Sequence, residues 1–188
     1  MSGKTKFPWS AAKTVAEELW SELKHVSEPN RCLVVGSLRR LKPEVGDIEI
    51  LYVPIFKLGT DDLFTPSIHN MANALLDKWL DSGRLVKRPN ASGHTAWGEH
   101  NKYAVHVASG IPVDFFATTI PKWFVSLVIR TGPKELNIRL CEGAQKLGAT
   151  LNPYGEGIVT HAGGVIRATS EEHLFQLCGV SYAQPSKR

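Results

Sequence analysis

The chain has 188 residues, 43% of them hydrophobic, and 22 basic against 18 acidic side chains give a net charge of +4. That length can bury one core or two small lobes, and the two-sided charge is that of an ordinary globular protein. No run approaches the roughly 18 apolar residues that a membrane-spanning helix needs, and the modest positive charge permits a polyanionic partner without demanding one.

Met1 to Ser10 carries Lys4 and Lys6 but no apolar stretch, so it does not read as a secretory signal. Cys32, Cys141 and Cys178 are odd in number and far apart. They make neither a disulfide framework nor a zinc knuckle, and a reducing, cytoplasmic setting is expected.

The first helix is predicted from Ser10 or Thr14, either of which can cap it, to Lys24, with Val15, Leu19, Trp20 and Leu23 as its apolar stripe. Strands follow over Arg31–Val35, running into Gly36-Ser37, and over Asp47–Val53, stopped by Pro54. Phe56 to Pro66 reads as a loop from its Gly, Asp and Pro content. Ser67 to Leu80 reads as a helix, since Ile68, Met71, Leu75, Leu76 and Trp79 recur at three and four.

Arg84–Arg88, Lys102–Ala108 and Ile111–Ala117 read as strands, the first two separated by a polar stretch from Asn90 to Asn101. The last two are joined by a two-residue turn at Ser109-Gly110. From Pro121 a helix is expected to about Arg130, broken at Thr131-Gly132, and Pro133 opens a second that Gly148 stops. A β-like stretch and a last helix over Ser170–Cys178 follow, with Thr169 and Glu172 as its capping box. The fold class is α+β: a mixed-sheet lobe over residues 1–120 and a smaller C-terminal lobe over 121–188.

The chemistry concentrates between Gly36 and Ile50. A strand ending in Gly36-Ser37 and entering a short helix offers backbone N–H groups and a hydroxyl to a phosphate. Arg39, Arg40 and Lys42 supply charge just beyond. Asp47 and Glu49 alternate on a strand, so both carboxylates leave one face while Ile48, Ile50 and Tyr52 enter the core. Adjacent carboxylates repel unless cations sit between them, and such hard oxygen ligands suit Mg²⁺ or Mn²⁺. Asp114 stands in an otherwise apolar run, Ile111 to Phe116, where an ionised carboxyl is costly without a partner. Three carboxylates beside a phosphate cradle are what two-metal phosphoryl transfer needs.

Gly36-Ser37, then Gly46-Asp47-Ile48-Glu49, then Val113-Asp114-Phe115, resembles the palm signature of the family X DNA polymerases, the group of DNA polymerase beta. Thr131-Gly132-Pro133-Lys134 resembles that family's helix break and thumb start, and Leu151-Asn152-Pro153-Tyr154-Gly155 follows at the family's distance. The closing segment, with Glu171-Glu172, Gly179, Tyr182, Pro185 and Arg188, resembles its terminus, so the likeness runs from about Arg31 to Arg188.

This resemblance implies a nucleotidyltransferase palm with a thumb lobe, acting as a DNA-directed DNA polymerase that moves a deoxynucleoside monophosphate from a dNTP to a primer 3′-hydroxyl, as in gap filling during repair. Asp47, Glu49 and Asp114 would be catalytic and hold two Mg²⁺ or Mn²⁺ ions. Gly36, Ser37, Arg40, Gly46, Gly132 and Asn137 would bind the nucleoside triphosphate; Lys134, Arg139 and Arg130 would contact primed or gapped DNA, or RNA. Neither a membrane nor self-association is required.

Four departures stand out. Glu49 replaces the family's usual Asp. Ile129 and Arg130 stand where aromatic residues meet the sugar. Pro112 takes a position that often carries a basic residue, and the N-terminal portion is too short for the lyase and fingers regions. Ile129 and Arg130 keep open a template-independent enzyme acting on RNA or DNA ends, and Glu49 a catalytically silent nucleotide- or nucleic-acid-binding protein. A zinc site from His94, His100 and His106 is disfavoured because His106 is expected on the sheet surface. Trp79 and Trp123 read as core, Trp97 as core or a base-stacking platform, and Arg84, Lys87 and Arg88 as phosphate contacts or a solvated strand end.

Overall fold

The computed structural model describes residues 5–60, 66–89 and 93–188; residues 1–4 of the N-terminal segment, 61–65 of the expected loop and 90–92 of the polar stretch lie outside the described residues. In chain order the elements are β1 (Phe7–Pro8), α1 (Trp9–Leu23), β2 (Ser27–Val35), α2 (Gly36–Arg39), β3 (Glu44–Val45), β4 (Ile48–Pro54), β5 (Phe56–Thr60) and β6 (Pro66–Asn70). Then come α3 (Met71–Asp81), β7 (Leu85–Lys87), β8 (Asn101–His106), β9 (Ile111–Ala117), α4 (Trp123–Thr131), α5 (Lys134–Lys146), β10 (Ala149–Leu151), β11 (Gly157–Thr160), β12 (Val165–Arg167) and α6 (Glu171–Leu177). Among the described residues no helix is long and apolar enough to cross a membrane. The class is mixed α+β, as the residue pattern predicts.

Five strands form one sheet in the order β2-β4-β9-β8-β7, in which β4 and β9 run parallel and every other pair is antiparallel. Alternation along β4 and β9 sends Ile48, Ile50, Tyr52, Val113 and Phe115 to one face, where α1 and α3 bury them with Leu19, Leu23, Leu76 and Trp79. The opposite face carries Glu49, Leu51, Val53, Asp114 and Phe116. Its apolar members pack with Trp123 and Leu127 of α4, and each such buried side chain contributes about 1.5–3 kcal/mol. That cluster holds the C-terminal lobe against the site-bearing face. A separate core unites Val125, Val128, Leu136, Leu140, Leu174 and Phe175 with Leu151 and Ile158 of the small β10-β11-β12 sheet.

Several expectations are corrected. Phe56–Thr60 is a strand, paired antiparallel with β6 from Phe56↔Asn70 to Thr60↔Pro66. Gly59 marks no turn; a Cβ there would strike the His69 ring on the neighbouring strand. The third helix starts at Met71 because Asn70, extended itself, accepts a hydrogen bond from the Asn73 N–H at 3.0 Å. Neither Ser10 nor Thr14 caps α1: it begins after Pro8, and the Thr14 hydroxyl donates back to the Ser10 carbonyl at 3.2 Å. Ser170, not Thr169, caps α6 by accepting from His173 N–H at 3.0 Å. The β8–β9 connection takes four residues, since His106 pairs with Ile111. His106 is buried rather than on the surface, with Nδ1 2.9 Å from the Ser109 hydroxyl.

Candidate active site

On the α4-facing side of the sheet, β2, β4, β9 and β8 align their residues in rows. Val35 pairs with Glu49, Glu49 with Asp114, and Asp114 with Tyr103. Leu33, Leu51, Phe116 and Asn101 form the next row. Thus Glu49 and Asp114 are direct neighbours across a parallel strand pair. Asp47 lies just ahead of β4, after a segment fixed by the β1–β3 pairing of Phe7 with Val45 and by the Trp9 backbone N–H, which donates to the Pro43 carbonyl at 2.9 Å.

The crowding has an electrostatic consequence. Burial, followed by the charges of Asp47 and Asp114, pushes the Glu49 carboxyl up to about 7, against the opposing pull of Arg130 and Arg40. Glu49 therefore senses both of the other carboxylates. Among the described residues no group of three or more His, Cys, Asp or Glu is already drawn together enough to hold a metal ion. A guanidinium reaches one of the acids first: Arg88, just past β7, donates to Asp114 Oδ1. Its ring-facing side lies 5.4 Å from the Tyr103 centroid, and its Nε is buried without an acceptor among the described residues. The donor set still fits a hard divalent cation, because such an ion offsets the charges that Asp47 and Asp114 bring to the buried Glu49.

Gly36, with φ of 65°, stands where β2 turns into the single helical turn α2, and any Cβ there would overlap the Glu49 carboxylate. Its glycine identity thus serves the close approach of the carboxylate as well as the backbone turn. Ser37 is half-buried on the same turn, and Gly46 is buried beside Asp47. Arg40 donates to the Thr131 carbonyl, and one of its terminal nitrogens would lie 3.2 Å from a Cβ built on Gly132. Gly36 and Arg40 accordingly stand by Glu49, and Gly132 lies beside Arg40.

The remaining residues are differently engaged. Asn137 donates through Nδ2 to the Ile129 carbonyl at 2.8 Å, leaving Oδ1 buried without a donor among the described residues. Arg130 lies over Phe116, 3.6 Å from the ring centroid, and reaches Asn101 Oδ1 at 3.4 Å. Lys134 and Arg139 are exposed on α5. A cavity of about 220 Å³ opens one row beyond the carboxylates, among Leu51, Asn101, Phe116, Ser126, Arg130 and Tyr154; it does not include the acids.

Trp79 and Trp123 are core residues, as expected. Trp97 packs against the core and donates to Asp77 at 2.7 Å, so it is no free platform. Arg84 is held by Glu18 and Glu22 at 2.7 and 2.6 Å.

Two arrangements go beyond the residue pattern. One is the Arg88–Asp114–Tyr103 grouping, which needs the true β8–β9 register to be visible. The other joins the lobes: Arg39 donates to Glu171 at 2.5 Å and to the Thr131 hydroxyl at 2.7 Å, while Arg188 meets the same Glu171 at 2.8 Å. A glutamate in the first turn of α6 gives no sign of this in sequence, since acids are common there.

Comparison with known proteins adds one finding. Residues 126–188, about a third of the chain, match the family model of the DNA polymerase beta thumb. No curated protein sequence matches the chain.

Proposed function

We propose that this chain is a metal-dependent nucleotidyltransferase of the family X DNA polymerase type, extending a primer 3′-hydroxyl from a nucleoside triphosphate, with gap filling as its setting. The observation that carries this reading is the pairing of Glu49 with Asp114, with Asp47 acting on the same Glu49, beside Gly36 and Arg40, in a chain whose last third resembles a polymerase thumb. Asp47, Glu49 and Asp114 would hold Mg²⁺ or Mn²⁺. Bound there, divalent ions make a hydroxyl a better nucleophile and offset charge developing on phosphoryl oxygens.

The chain's own groups do the rest. Gly36 lets the backbone approach the carboxylates closely, and Ser37 offers a hydroxyl at the start of a helical turn whose first N–H groups have no intrahelical acceptor. Arg40, held at the lobe junction by Thr131, sets a fixed positive charge next to Glu49 and suits the triphosphate. Gly132 keeps the junction free of a side chain where Arg40 passes. Lys134 and Arg139, exposed on the thumb-like lobe, are placed for nucleic-acid phosphates.

The test is primer extension on gapped, primed and single-stranded oligonucleotides, with dNTPs or rNTPs, with Mg²⁺, with Mn²⁺ and with chelator. Extension on the gapped and primed substrates that falls roughly a hundredfold or more in Asp47→Ala and Asp114→Ala is expected; undiminished extension by either variant discards the site. A template-independent enzyme is the second reading. It is favoured by Asn137, whose amide is already committed to Ile129, and by Arg130, laid on Phe116. Extension of the single-stranded oligonucleotide without base selection would select that reading.

A further inference from the structure

We infer that Arg88 is the built-in counter-cation of the carboxylate site, and that a divalent ion gains Asp114 by displacing it. The inference rests on the reading of Asp47, Glu49 and Asp114 as cation ligands and adds a residue that the reading does not use.

Three observations support it. Arg88 donates to Asp114 Oδ1, an oxygen that an incoming ion needs, and a positive charge there lowers the cluster's attraction for a second cation. Asp114 is only 8% exposed, so its charge needs a partner whether or not an ion is bound. Arg88 also stands at the sheet edge. It follows the last residue of the edge strand β7, its backbone N–H donates to Tyr103 O at 3.0 Å, and its side chain is 21% exposed. Apart from Asp114, its guanidinium has the Tyr103 face and the adjacent Pro89 carbonyl at 3.2 Å, while Nε finds no acceptor among the described residues. The other nearby cations, Arg40 and Arg130, act on Glu49, and each has a further anchor, Thr131 and Phe116 respectively. Arg88 is therefore the cation of this group that bears directly on Asp114, and it must move if an ion is to take that oxygen.

The test is a Mn²⁺ titration of the full chain followed by electron paramagnetic resonance, without nucleotide or nucleic acid. Arg88→Ala and Arg88→Gln, which remove the charge, should bind Mn²⁺ roughly tenfold tighter than the parent. Arg88→Lys, which keeps it, should stay within about threefold. Gln preserves length and a donor for Asp114, so it carries the test should Ala not fold. Affinity equal to or weaker than the parent's in the charge-removing variants overturns the inference, and would make Arg88 a support that orients Asp114 instead. Asp114→Ala separates the two levels. If parental Mn²⁺ binding is lost in Asp114→Ala but unaltered by Arg88→Gln, only the counter-cation role fails. If the parent binds no Mn²⁺, or Asp114→Ala binds it equally, the metal reading of the site fails as well.

Discussion

In the N-terminal lobe two of the three carboxylates proposed for chemistry stand on central strands and are aligned by sheet register, Glu49 opposite Asp114. In the C-terminal lobe the distinctive residues sit at helix ends and breaks: Thr131-Gly132 between α4 and α5, Gly148 after α5, Ser170 at the start of α6. The two kinds of information survive differently. Helix ends and glycines at positive φ are local in sequence, and the matched residues 126–188 contain several of them. A site made by strand register depends on a few acids whose spacing can vary with the loops between them. The matched residues lie in the thumb-like lobe, although the proposed chemistry lies in the other.

The sharpest way to break this division is at the contact between the lobes. Glu171 is buried in the C-terminal lobe, yet it serves Arg39 of the N-terminal lobe and Arg188 of its own. Glu171→Ala leaves two guanidinium groups facing a void, and loss of one partner from a buried ion pair costs about 3–5 kcal/mol. Chemical denaturation should show that loss. Separate unfolding transitions for the two lobes in the variant would establish that Glu171 couples them; an unchanged midpoint would mean that the Trp123–Leu127 packing and the arginine bonds to Thr131 suffice.

Gly36→Ala is the next largest. A Cβ overlapping the Glu49 carboxylate, at a positive φ that alanine disfavours, should cost about 1–3 kcal/mol and lower primer extension by more than the stability loss explains. Stability loss with extension intact would separate Gly36 from the site.

How much of this could be read from residues alone differs by the same division. The acids, the glycine-serine turn and the helix break were legible because each has a short local reason: alternation on a strand, a close backbone approach, a stop signal. The company the acids keep was not. A two-residue turn at Ser109-Gly110 would put Ala108 opposite Ile111 and so Val105 opposite Asp114. The actual four-residue connection pairs His106 with Ile111, moves the register by two and brings Tyr103, with Arg88 above it, to Asp114. The face is unaltered by a two-residue shift, which is why the alternation looked right. The β5–β6 ribbon was hidden for another reason: its Phe56, Leu58 and Ile68 face outward and are exposed, so burial, which makes hydrophobic pattern informative, is missing there.

A matched pair of caps compares the lobes on equal terms. Asn70 caps α3 and Ser170 caps α6, each by a 3.0 Å bond from the N–H three residues on. Asn70→Ala and Ser170→Ala should each cost about 1 kcal/mol. They diverge in what else they touch. Ser170 adjoins Glu171, whose two arginines cross the lobe boundary and its own core, so its loss should also lower the cooperativity of unfolding, seen as a smaller denaturant slope. Asn70→Ala should lower the midpoint and leave the slope alone.

The smallest effect belongs to the outer ribbon. Leu58 is 83% exposed and Ile68 70% exposed, and they face each other across β5 and β6. Replacing both with Thr keeps β propensity and removes apolar surface already in water, so stability should change by less than about 0.5 kcal/mol. If the pair instead destabilises by more than about 1 kcal/mol, these side chains must be covered in solution, and sedimentation of the parent against the double variant would tell whether a second copy of the chain covers them. With an unchanged midpoint, the outward side chains of Leu58 and Ile68 contribute nothing to stability and stay in water, unlike those at the contact between the lobes.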